Sequence, residues 1–151
     1  MAFELRAHTA DIAVAAFGAT LEETFESLAD GLAAASCDEI PDAIDDGGER
    51  FSLEVAAENR EALLFEYLDE LIYLRDVRLE LPVENRIRRL EEPGGNERTT
   101  AGDAAEWSLE ATARGVPLDR IVAREIKAVT YSEMRLERTD DGWEAYVVFD
   151  V

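Results

Sequence analysis

The run Leu63, Leu64, Tyr67, Leu68, Leu71, Ile72 constrains this chain more than any other feature. Apolar residues recur there at intervals of three and four, so a helix from about Asn59 to Arg75 carries a wide apolar stripe that must be covered by something else. Alternating segments on both sides offer faces to cover it. Phe3 to Arg6, then Ile12, Val14 and Ala16, read as strands interrupted by the tetrad His8-Thr9-Ala10-Asp11. A second helix is predicted over residues 20 to 36. Thr20 and Glu23 form a capping-box pattern at its start, and Leu21, Phe25, Leu28 and Leu32 follow at helical spacing.

FSLEVAAE from Phe51 alternates as a strand, and Arg78 to Leu90 reads as one or two strands around Pro82. Alternation resumes from Trp107 to Gly115, with Pro117 to Arg120 as a turn or short helical piece. The end predicts a β-hairpin: Ile126 to Arg138 and Trp143 to Val151 are strand-like, joined by Thr139-Asp140-Asp141-Gly142 with an Asp-Gly step suited to the turn. The stretches Cys37 to Arg50 and EEPGGNERTTAGD read as exposed loops. No repeat or long linker divides the chain, and 151 residues with 47% hydrophobic content suit one domain, residues 1–151.

Charge narrows the function classes. Thirty-five acidic against 15 basic residues give a formal net charge of -20, which repels a phosphate backbone and an anionic membrane surface. Direct nucleic-acid binding is therefore not expected. The acid excess, with a single lysine among the basic residues, fits a halophilic acidic protein, because salt at 1 M shortens the Debye length to about 3 Å and screens self-repulsion. Cys37 and His8 are the sole cysteine and histidine, so one chain can build neither an intramolecular disulfide nor a cysteine–histidine zinc site. MAFELRAHTAD lacks the basic start and apolar core of a signal peptide, and no run approaches the ~18 apolar residues of a membrane span. A cytoplasmic protein is expected.

Nucleotide and calcium motifs are absent. Counting an EF-hand from Asp42 puts Ile44 and Leu53 where oxygen ligands belong, and no GxGxxG or P-loop pattern surrounds Gly94-Gly95. Thr9 and Asp11 suit turn amides, and His8 suits a hydrogen-bonded loop position. Lys127 suits a strand edge where its stem covers apolar surface. Together, however, Asp150 and a terminal carboxylate at Val151 put two anions one residue apart. If Asp11 joined them, a cation would be needed to keep all three ionised, and an all-oxygen set suits a hard divalent ion such as calcium. Lys127 could neutralise that cluster or donate to a phosphate; both roles stay open at this point. An enzymatic reading, with His8 or Asp11 as base and Lys127 as electrophile, lacks a nucleophile motif such as GxSxG to support it.

HTADIAVAAFGATLEETFESLADGL, LLFEYLDELIYLRD, EIKAVTY and WEAYVVFDV resemble, in order, the blocks of the archease family. The likeness covers nearly the whole chain. It departs at Ser132, where the family often has histidine. The resemblance implies a small α+β fold, two helices packed on a mixed or antiparallel sheet with the C-terminal hairpin. It implies no catalysis of its own but an accessory role: archeases promote guanylylation of the RtcB-type tRNA-splicing RNA ligase, which uses GTP and manganese, and so allow repeated turnover. It also implies a divalent-cation site, typically calcium, at Asp11, Asp150 and the carboxylate of Val151, and ties the block holding Lys127 to ligase activation. His8, within the HTAD block, joins Lys127 as a candidate activation residue. A chaperone-like partner of an RNA-modifying enzyme is the alternative function.

Overall fold

In the computed structural model, residues 3–8, 11–41, 49–93 and 106–151 are described. The tetrad's Thr9-Ala10 step, most of the acidic stretch and most of the Gly94-Gly95 loop lie outside them.

Each helix begins on a side chain that accepts an orphan amide of the first turn. Thr20 Oγ1 accepts from Glu23 N at 3.1 Å and Glu23 Oε2 accepts from Ala19 N at 3.0 Å, opening α1 (Leu21–Ser36). Asn59 Oδ1 accepts from Ala62 N at 2.7 Å and opens α2 (Arg60–Arg78), three residues longer at its end than the apolar stripe predicted. All six residues of that stripe are buried, as are Leu21, Phe25, Leu28 and Leu32 of α1. The rings of Phe25 and Tyr67 stack between the helices with centroids 6.3 Å apart.

The strands are β1 (Phe3–His8), β2 (Asp11–Gly18), β3 (Arg50–Ala57), β4 (Glu80–Glu91), β5 (Trp107–Pro117), β6 (Ala128–Thr139) and β7 (Gly142–Asp150). A short 3-10 turn, Leu118–Arg120, follows β5 as expected. They form not one sheet but two, each antiparallel throughout: four strands in the order β1-β2-β7-β6, and three in the order β3-β5-β4. Each helix lies across both, α1 on β2 and β4, α2 on β3 and β6. A single α+β core results: Val14 and Val147 from one sheet and Leu53 and Leu109 from the other belong to one buried cluster with the apolar residues of both helices.

The edge of the smaller sheet is covered by α1. β4 is an edge strand with a strand neighbour on one side only, and at its open side Asp30 Oδ1 accepts from Asn85 N at 2.9 Å while Glu26 Oε2 accepts from Ile87 N at 2.7 Å. Unpaired edge amides invite association with other chains, so these carboxylates close that route. The arrangement carries a cost: burial, opposed by the hydrogen bonds from β4, raises both carboxyls above their ordinary range.

At the hairpin, Thr139 pairs with Gly142, so Asp140 and Asp141 form the turn and the expected Asp-Gly step is displaced by one position. Gly142 serves packing instead. Its φ is +149°, and a Cβ there would meet the Gly18 carbonyl oxygen and lie 2.8 Å from Ala19 Cα. No described helix is long and apolar enough to cross a membrane.

Candidate metal and partner site

Antiparallel pairing of β2 with β7 sets the first residue of one against the last of the other. Asp11 therefore sits opposite Asp150, Asp150 opposite Ala128 of β6, and His8 of β1 opposite Asp11. Directly opposed residues project to the same face, so one row across the end of the sheet carries both carboxylates. The adjacent row, Ile12, Phe149 and Val129, packs into or against the core on the other face.

The neighbouring segment is held by burial and one backbone bond. Ile126 is fully buried although it lies outside β6, which starts at Ala128 rather than at the predicted Ile126. The amide of Lys127 donates to the Asp150 carbonyl at 2.8 Å, keeping Lys127 exposed at the rim of the carboxylate row. Four of the five candidates, Asp11, Asp150, Lys127 and His8 by its backbone, thus meet at one end of the four-stranded sheet. Val151, also exposed, follows Asp150 directly.

The donor set is entirely oxygen, which fits a hard divalent cation better than a thiophilic one. Cys37 is buried at the end of α1, in a second apolar cluster with Leu81 and Val116. Among the described residues no three His, Cys, Asp or Glu side chains gather around one point. To hold a cation, the Asp11–Asp150 pair would need further oxygen ligands from the main chain or a terminal carboxylate. An open cleft of about 670 Å³ beside Gly18, Thr139 and Trp143 lies at the opposite end of β2 and takes no part in this row.

Sequence patterning did not reveal one neighbouring feature. Between Thr130↔Val148 and Arg135↔Tyr146, four residues of β6 face one of β7. This bulge turns Tyr131 of the EIKAVTY block onto α2, where its ring stacks on Phe65 with centroids 4.6 Å apart. Glu133 takes up the distortion at φ +66°. Without a glycine or asparagine to mark it, the run reads as plain strand.

The Archease protein family model matches residues 3–151. The chain belongs to the archease family. It is 35% identical over 158 residues to the archease of Methanosarcina acetivorans, covering 99% of this chain and 95% of that one. Its fold matches the solution structure of a Methanobacterium thermoautotrophicum protein with a TM-score of 0.72 and 28% identity, over 99% of this chain and 98% of that one. It also matches the crystal structure of a Thermotoga maritima archease described as a possible chaperone, with a TM-score of 0.63 and 27% identity, over 97% and 94% of the two chains. The predicted α+β fold with two main helices agrees with both.

Proposed function

We propose that this chain activates an RtcB-type tRNA-splicing RNA ligase in the cytoplasm, promoting transfer of GMP from GTP to the ligase and hence repeated exon joining. The observation that carries this reading is the pairing of Asp11 with Asp150 at the exposed end of the four-stranded sheet. Two carboxylates on one face at adjacent strand positions repel unless a positive charge lies between them. Asp11, Asp150 and a terminal carboxylate of Val151 are the groups we assign to hold a divalent cation, with calcium the first candidate. Bound there, the cation would supply a fixed positive charge to a polyphosphate brought to the sheet end.

This chain's own part is positioning. Burial of Ile126 and the bond from the Lys127 amide to Asp150 fix the backbone from which the Lys127 ammonium reaches out. A compact ammonium suits a phosphate at the edge of such a cluster, where a broad guanidinium fork would need more room. His8, opposite Asp11, is a further activation residue in this reading. Phosphoryl-type transfer depends chiefly on alignment and neutralisation of charge, and both can be supplied from outside the ligase without catalysis by this chain. With a formal charge of -20, the chain would meet the ligase protein rather than its RNA.

The test is covalent GMP labelling of the ligase from the same organism, with GTP and manganese, in the presence of the parent or of Asp11→Ala. The variant should keep its unfolding transition and lose the stimulation. Full stimulation by Asp11→Ala refutes the assignment. The possible-chaperone description of the Thermotoga maritima relative favours a second reading, a chaperone-like partner of an RNA-modifying enzyme. Co-purification separates them: one dominant ligase supports the first, a mixed set of clients the second.

A further inference from the structure

The outward face of α2 carries aromatic and carboxylate side chains, while the helix's own cations are turned elsewhere. Arg60 lies over the rings of Trp143, at 4.9 Å, and Trp107, at 6.0 Å. Arg75 is buried and bonded to Asp76 at 2.9 Å, and Arg78 covers Phe51 at 4.1 Å and pairs with Glu80. What faces solvent is Tyr73, 57% exposed, and Val77, 59% exposed, with Asp69 and Glu66 also exposed one and two turns before Tyr73. The β6 bulge extends the surface by laying Tyr131, 52% exposed, on Phe65. Partial burial, then Glu58, Glu61 and Glu66, raise the Tyr131 phenol above its ordinary value, so those carboxylates lie around the ring.

Aromatic faces ringed by carboxylates attract guanidinium groups twice, through the ring quadrupole and through charge. From this complementarity we propose that the α2 face bearing Tyr73, Val77, Glu66 and Asp69, extended by Tyr131, is a docking surface for a protein partner that presents arginine side chains around an apolar centre. A second copy of this chain is a poor occupant, since it would set the same carboxylates against themselves. Taking the ligase as the partner rests on the reading above. The α2 face then governs how tightly the two proteins associate, and the Asp11 end governs GMP transfer within the complex.

The experiment compares the parent, the double variant Glu66→Arg/Tyr73→Arg and Asp11→Ala for binding to the ligase by calorimetry and for ligase–GMP formation at rising concentrations. Both positions of the double variant are exposed, and an unchanged melting curve verifies the fold. The double variant should bind about tenfold more weakly or worse, with stimulation recovering at high concentration. Asp11→Ala should bind like the parent and fail to stimulate at any concentration. Parent-like affinity of the double variant, with the parent binding, overturns the docking surface and leaves the ligase reading intact. A parent that neither binds nor stimulates overturns both. Sedimentation showing that the parent alone dimerises and the double variant does not assigns the face to a second copy and overturns the proposal.

Discussion

Tyr67 is fully buried, stacked on Phe25, and its hydroxyl has no hydrogen-bond partner among the described residues. A buried hydroxyl without a partner costs about 1–3 kcal/mol relative to leaving it in water. Tyr67→Phe keeps the ring and its stacking and removes only that cost. The variant should therefore be more stable than the parent by about 1–3 kcal/mol, raising Tm by roughly 2–4 °C per kcal/mol for a chain of this size. Urea unfolding should show a higher midpoint at unchanged slope, since the surface exposed on unfolding is the same.

The same group makes an independent prediction at high pH. Burial first, then Asp30 and Glu26, raise the phenol far above its ordinary value. Burial penalises the ionised phenolate far more than the neutral hydroxyl, so relative to its ionised form the protonated group favours the folded chain. Its contribution is complete below the unfolded value of about 10 and declines as pH rises from there, by up to ~1.4 kcal/mol per pH unit. The parent should lose stability above that pH faster than Tyr67→Phe. A phenylalanine variant less stable than the parent by about 1 kcal/mol or more, the net energy of one hydrogen bond, refutes the reasoning and shows that the hydroxyl is bonded, to ordered water for example. Tyr73→Phe, at an exposed position, is the control and should change stability by less than ~0.5 kcal/mol.

Gly142→Ala combines a left-handed φ with a Cβ driven against the Gly18–Ala19 backbone, and should cost about 2–5 kcal/mol in urea unfolding. Asp30 has a raised carboxyl, so its favourable contribution is complete below the ordinary value of 3.8 and is lost as pH rises through the folded value. Asp30→Asn keeps an acceptor for the Asn85 amide and should flatten that decline when urea midpoints are compared from acid to neutral pH. Calcium at about 100 times its Kd should stabilise the parent by about 2.7 kcal/mol in thermal unfolding, and chelator should reverse this. Asp11→Asn and a chain extended by one residue beyond Val151 should both lose the effect; an undiminished response in either removes that group from the site.

Local chemistry made the helices readable, and non-local pairing hid the sheets. Thr20, Glu23 and the α2 stripe act within one or two turns, so spacing alone located them. The β3 partner, β5, lies beyond α2 and β4, and alternation says which face of a strand is buried without saying which strand lies beside it. The division into two sheets was invisible for that reason, as was the β6 bulge, where Tyr131 leaves the ladder without a turn residue to announce it. Gly142 illustrates the opposite error: a turn-forming residue type drew the turn onto itself, whereas tertiary contact with Gly18 is what requires it.

The carboxylate row falls between these cases. Nothing in the spacing of Asp11 and Asp150 brings them together, yet β2 and β7 are the two inner strands of an antiparallel sheet, and their register does so without a loop being involved. Rigidity comes from that placement, because the backbone of each aspartate is held by strands on both sides. A pair set on a sheet in this way keeps its geometry when a partner docks elsewhere. The proposed binding at the α2 face and the proposed action at the Asp11 end should therefore be separable by substitution, which is the comparison the paired variants make.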